Sequence, residues 1–456
     1  MTTSSPFRHK VLLGWINDIS SIPRTGKRWP IIDIDEQTMQ DYRELFPVMK
    51  TSGFDTICIW GLFINHNWNP ELKQSITEER RNAIRELLEE AHKHDVRVLA
   101  GLGLYSWGFE EIIRNHPEVA KNNGRFCWGQ YLEDNGVVMC YSTEVAREWQ
   151  RKIIDFIGEF EIDGFQLQSA DQGRCACPNC RELGEMAYHA ALNNEFATYI
   201  RTRWPQMTIS VSGWGMSFKE EGDIPHLQKM SQALDYITDV TDQSIASAHP
   251  IRRQLIQTLN SSFGSLGGTV IVPPQRWDRL RWFLPHAEIA GKHITALASD
   301  GGSAYEFFAG PLVNPQYEMM TKYIGSMLKN PAMTPEEALP PIVEELFQPR
   351  TAGVQTGLVQ ALFALERLYF SKIEQPLGEF DFEPLGGEEP GPPIYLDRLT
   401  TGALHQYHTE LQNWHQQCIP LVKETHRPSY GNKVLTCIKN VLEDVSRNMQ
   451  TGETHY

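Results

Sequence analysis

MCYSTEVAREWQRKIIDFIGEFEIDGFQLQ, residues 139–168, carries a helix-period segment that runs straight into a short apolar run. Across 144–160 the apolar residues recur three and four apart, as in a helix with one buried face. Residues 164–167 then have the length and composition of a buried strand. Gln166 and Gln168 are polar where a purely structural strand would be apolar. A covering helix feeding a buried strand is one half of a βα repeat, so the neighbouring sequence should show the same beat.

It does, on both sides. Apolar runs at 11–16, 56–64, 96–104 and 164–167 are separated by helix-period segments at 36–50, 77–94 and 144–160. Further strand candidates follow at 207–212, 236–240, 269–272 and 294–298, with helical segments at 225–234 and 251–259. Eight strands alternating with helices over about 300 residues fit a closed (β/α)8 TIM barrel better than an open sheet. No Gly-rich dinucleotide fingerprint follows the first strand. After Pro311 the period becomes helical throughout, at 315–328, 335–346, 354–373, 396–422 and 433–449. The expected architecture is an α/β barrel over residues 1–310 and an α-helical C-terminal domain over 311–456. The Pro-, Gly- and acid-rich stretch 375–393 is expected to be a long surface loop.

With 456 residues, the chain exceeds the size at which one hydrophobic core stops growing, which agrees with two domains. A net charge of −15 and the lack of any Lys/Arg-rich run argue against nucleic acid as a partner. No apolar stretch reaches the roughly 18 residues that a membrane helix needs, so a soluble, cytoplasmic protein is expected. Amphipathic helices near the chain end suit either a cover for the barrel or a homodimer contact.

In such a barrel the working residues gather where strands end, at the C-terminal face. Those positions hold Trp15, Asn17 and Asp18 after strand one, Asn65 and Asn67 after strand two, and Trp107 after strand three. Gln166, Gln168 and Asp171 follow on strand four, with Arg174 close behind. Trp214 comes after strand five, Arg276 after strand seven, and Asp300, Tyr305 and Glu306 after strand eight. Indoles and phenols interleaved with amides and acids match a sugar, whose flat faces stack on rings and whose hydroxyls need planar polar partners. Cleaving a glycosidic bond usually takes two carboxyls. Asp171 is the first choice for one, with Asp18, Asp300 or Glu306 as its partner across the mouth. Arginines in the loops, Arg24, Arg28, Arg125, Arg174 and Arg276, suit an acidic sugar because guanidinium forks match carboxylates.

Here the opening stretch also shows a resemblance. Residues 139–168, with Asp163-Gly164 leading into the fourth strand, resemble the third helix and fourth strand of many barrel glycoside hydrolases, where this pattern leads to the catalytic acid. Residues 314–347 are similar to the helical region that follows the barrel in α-glucuronidase-like and β-hexosaminidase-like hydrolases. The resemblance implies a barrel hydrolase that needs no cofactor. It departs from β-hexosaminidases at strand four, where an Asp-Glu pair is replaced by Asp171-Gln172. Inverting barrel sialidases, which pair an aspartate after strand one with a histidine, are a further relative; Asp18 would take the first role and His66 or His116 the second. A non-catalytic carbohydrate-binding barrel is the rival from another class.

Cys175, Cys177 and Cys180 form C-x-C-x2-C, three soft ligands for one structural zinc, with Cys127 or Cys140 as the fourth. Free thiols or a disulfide are the alternatives. In each case the knot would stiffen the loop carrying Asp171 and Arg174.

Overall fold

The computed structural model describes residues 5–22, 33–64, 67–121, 124–127, 130–133, 136–170, 172–213, 216, 220–238, 252–260, 269–270, 280–373 and 401–451. Eight parallel strands run through them: β1 His9–Trp15, β2 Thr56–Trp60, β3 Arg97–Gly103, β4 Gly164–Gln168, β5 Thr208–Ser212, β6 Tyr236–Thr238, β7 Thr269–Val270 and β8 Ala304–Phe308. They lie in the order β7-β8-β1-β2-β3-β4-β5-β6, each beside its sequence neighbour, which is the circular order of a (β/α)8 barrel. Among the described residues the ladder between β6 and β7 is the one missing from the circle.

Local chemistry explains the elements. The helix Glu144–Ile157 starts at Thr143, whose hydroxyl accepts from the Ala146 N–H, and it buries Trp149, Ile153, Ile154 and Ile157 toward the barrel. The Asp163-Gly164 pair is a structural clip at the entry of β4. Asp163 accepts from the Val98 N–H at 2.7 Å and pairs with His92 at 2.9 Å, which fixes β4 beside β3. At Gly164 a Cβ would stand 1.9 Å from the Thr208 carbonyl oxygen, so only glycine lets β5 approach. Within β4 the side chains alternate: Phe165 faces the helices near Trp204, while Gln166 faces the lumen.

One sequence expectation needs correction. The run 294–298 is not strand eight but part of the helix Ala287–Ser299, which buries Ile289, Ala290, His293, Ile294 and Leu297 at helical spacing. A short apolar run has no period of its own, and β8 is the next one along, Ala304–Phe308. The barrel wall continues into the first helix after residue 310. Helix Pro315–Lys329 packs against helix Glu36–Ser52, so closely that a Cβ on Gly325 would lie 2.0 Å from the Ser52 carbonyl oxygen. It therefore stands in the ring as the helix that follows β8.

Helices Pro335–Phe347, Ala352–Ile373, Thr401–Lys423 and Pro428–Thr451 make the C-terminal helical region. Two buried acids join it to the barrel. Glu366 caps the helix Ala287–Ser299 by accepting from the Glu288 and Ile289 N–H groups, both at 2.9 Å. Asp444 binds Arg281 at 3.0 Å and the Trp282 indole at 2.7 Å. No described helix is long and apolar enough to cross a membrane. The expected loop at 375–393 lies outside the described residues.

Gly325→Ala is expected to destabilise the protein by about 1–3 kcal/mol in urea unfolding, because the added methyl must push two packed backbones apart. Gly402→Ala, where nothing lies within 4 Å of the added carbon, is expected to change stability by less than about 1 kcal/mol.

Candidate active site

A polar network crosses the barrel interior. Glu306, in the middle of β8 and fully buried, accepts from Gln166 Nε2 at 2.5 Å, Thr238 Oγ1 at 2.8 Å and the Tyr236 hydroxyl at 3.3 Å. Gln166 in turn accepts from the Trp60 indole N–H at 2.9 Å and the Cys58 thiol at 3.3 Å. Strands two, four, six and eight are thus joined through one carboxylate. Burial, and then the charge of Glu306, push the Tyr236 hydroxyl and the Cys58 thiol well above their ordinary pKa values. Both stay protonated, and Tyr236 stays a donor to Glu306.

Above this floor sit three indoles. Trp15 closes β1, Trp60 closes β2 and Trp107 follows β3. Ring centroids are 5.8 Å apart for Trp15 and Trp60, 5.0 Å for Trp15 and Trp107, and 6.4 Å for Trp60 and Trp107. Trp60 lies over Gly101, where a Cβ would be 2.3 Å from the ring, so the glycine on β3 makes the indole's berth. Asp18 turns back to accept from the Trp15 N–H at 2.8 Å and is 6% exposed. Behind the platform Tyr105 has φ of 66°, a left-handed conformation that costs a residue with a Cβ about 1–2 kcal/mol. Gln150 Oε1 accepts its N–H at 3.2 Å, and the turn it makes carries the chain from β3 to Trp107.

The loop after β4 is fastened from several sides. Ser169 Oγ lies 2.9 Å from His189 Nδ1, and Asn193 Nδ2 donates to the Ser169 oxygen at 2.8 Å. Burial holds His189 down at about 3, well below an ordinary imidazole. A small antiparallel sheet of Arg125–Cys127, Gln130–Leu132 and Arg174–Cys175 supports the far side, and Arg125 donates to the Gln172 carbonyl at 2.6 Å. Arg174 is buried over the Phe126 ring and donates to the Cys180 carbonyl at 3.0 Å. Four buried thiols, Cys140, Cys175, Cys177 and Cys180, converge there with all sulfurs within 4.8 Å of one another.

Of the residues singled out in the sequence, Trp15, Trp107, Gln166 and Glu306 come together in or above the lumen, and Asp18 supports them. Gln168 is buried at the end of β4. Asn17 instead ties its loop to the Asp33 carbonyl at 2.7 Å, and Asn67 is half-buried after β2. Two do not reach the mouth. Asp300 ends the helix Ala287–Ser299 at the entry side of β8, paired with Arg253 at 3.0 Å, because the strand begins only at Ala304, beyond Asp300 rather than before it. Tyr305 alternates with Glu306 and so faces outward, against Phe7 and His293. His116 lies against Trp149 of the helical layer and pairs with Glu118. Asp171, Asn65, His66, Trp214, Arg24, Arg28 and Arg276 fall outside the described residues. Sequence reading missed Trp60, Thr238 and Tyr236; Trp60 lies inside the second apolar run, 56–64, but ends the strand, Thr56–Trp60.

Comparison with protein families and with curated proteins finds no match. Among solved structures the chain is similar to a GH138 enzyme targeting pectin rhamnogalacturonan II, with TM-score 0.59 and 10% identity. That likeness covers 98% of this chain and 59% of the enzyme, so the chain spans less than two thirds of its length. A Thermobaculum terrenum O-GlcNAc hydrolase variant aligns with TM-score 0.49 and 12% identity, over 97% of this chain and 84% of its own.

His189 gives a pH test. Its folded pKa is depressed to about 3, so below about 6.5 the unfolded chain takes up a proton that the folded one refuses. The stability it contributes is full above that pH and falls as pH drops, by roughly 2 kcal/mol at pH 5. Urea unfolding of wild type should show this acid slope, and His189→Gln should flatten it. The fold that these observations establish is a (β/α)8 barrel, which the chain shares with the GH138 enzyme.

Proposed function

We propose that the chain is a glycoside hydrolase that removes a terminal sugar, acidic or N-acetylated, from an oligosaccharide or glycoconjugate. The observation that carries this reading is the platform of Trp15, Trp60 and Trp107 at the C-terminal ends of β1 to β3, keyed through Trp60 to the Gln166–Glu306 network. Sugars present flat C–H faces that stack on indoles, and the amide and carboxylate beneath hold the Trp60 indole in place. The pectic target of the GH138 relative favours the acidic end of the proposed range.

Asp171, next in the chain after the buried Ser169-Ala170 anchor, is assigned the general acid. Asp18 is assigned the second carboxyl, because Asp300 stands at the opposite end of the barrel and Glu306 is enclosed. Glu306 is then a positioning residue that orients Gln166 and, through it, Trp60.

A panel of aryl glycosides, including uronic, N-acetylamino and sialic acid donors, tests the reading. One donor should be released by wild type, with kcat reduced roughly 10²–10⁴-fold in Asp171→Asn. Trp107→Ala should raise KM for that donor about tenfold while moving kcat less, as expected for loss of a stacking face. The full enclosure of Glu306 favours one rival, a carbohydrate-binding barrel without turnover. Sugar binding with no release across the panel would establish that rival.

A further inference from the structure

We infer that Cys140, Cys175, Cys177 and Cys180 form a closed tetrahedral site for one zinc ion, which clamps the loop after β4 to the segment leading into helix Glu144–Ile157. Four thiolates about 2.3 Å from a zinc place their sulfurs about 3.8 Å apart. The Cys140 sulfur lies 3.6 Å from that of Cys177 and 3.9 Å from that of Cys180. All four residues are 3% exposed or less. Cys127, the other candidate for fourth ligand, is not in the cluster.

The surroundings suit thiolates. The Cys177 N–H points at the Cys175 sulfur at 3.4 Å, and the Ser142 hydroxyl lies 3.0 Å from the Cys140 sulfur and 3.6 Å from that of Cys177. A zinc with four thiolates carries a net charge of −2, costly to bury without a cation. Arg174 is buried beside the cluster and bonded to the Cys180 carbonyl, and among the described residues its Nε has no hydrogen-bond partner. Sulfur separations of 3.6 and 3.9 Å leave room for an ion and are far beyond a disulfide's length of about 2 Å.

The site's shape argues for structure rather than catalysis. Four protein ligands leave no open position for water or substrate. What the metal would add is a cross-link from Cys140 to the knot at Cys175–Cys180, with helix Glu144–Ile157 and β4 lying between the two in sequence. The loop that leaves β4 at Ser169 is then held by the barrel on one side and by the metal on the other, independent of the activity assigned above.

The test is the metal content of the purified full-length chain, measured by plasma mass spectrometry after a preparation free of metal-affinity resin. One zinc per chain is expected, falling below a tenth of an equivalent in Cys140→Ser and in Cys180→Ser and staying at one in Cys437→Ser, a buried cysteine of the helical region. Because a cysteine variant can fail to fold, wild type provides a second reading. An organomercurial should release one zinc to a chromogenic chelator, and cobalt exchange should give the thiolate charge-transfer and visible absorption of a tetrahedral site. Less than a tenth of an equivalent of metal in wild type prepared and refolded with zinc present would overturn the proposal. So would two disulfides among the four cysteines by mass spectrometry.

Discussion

A carboxylate in the middle of a β-barrel is the constraint on which this structure depends. Glu306 is fully buried, and an unpaired buried charge is among the most costly features a protein can carry. Gln166, Thr238 and Tyr236 offset its burial with hydrogen bonds from other strands. Those bonds in turn demand that β4, β6 and β8 keep their present separations. Among the described residues β6 and β7 make no ladder, yet Glu306 reaches from β8 to β6 and holds the two sides of that gap in register.

The same network reaches upward to the mouth. Gln166 spends its carbonyl on the Trp60 indole, and Trp60 can lie where it does because β3 has a glycine at position 101. Trp15 and Trp107 then pack on it, with the left-handed Tyr105 turn bringing Trp107 over the barrel. A polar floor and an aromatic platform are therefore one construction.

Around the mouth, rigidity comes from outside the barrel proper. The loop after β4 is tied down by the Ser169–His189–Asn193 cluster, by a small antiparallel sheet and by the convergence of four cysteines. On the opposite flank the C-terminal helices reach in through Glu366 and Asp444, each satisfying backbone or indole N–H groups of the barrel's last segments. Helix Pro315–Lys329 belongs to both regions, as a ring member that continues into the helical stack.

By itself the sequence determined the βα beat. Short apolar runs and period-3.6 segments are local properties, and together they located seven of the eight strands as well as the C-terminal helices. The cysteine spacing likewise marked the knot, and Gln166 stood out as polar inside an apolar run. Tertiary structure alone decided the rest. Whether residues 294–298 form helix or strand depended on which of two neighbouring apolar runs could pair with β1, and a short run carries no period to say so. Choosing Cys140 over Cys127 required distances between loops that share no sequence proximity. Asp300, Tyr305 and Glu306 looked equivalent along the chain, yet one caps a helix, one faces the outer layer and one holds the lumen together. The direction in which a side chain points depends on where its strand begins and which neighbours enclose it, and closure of the barrel is what fixes both.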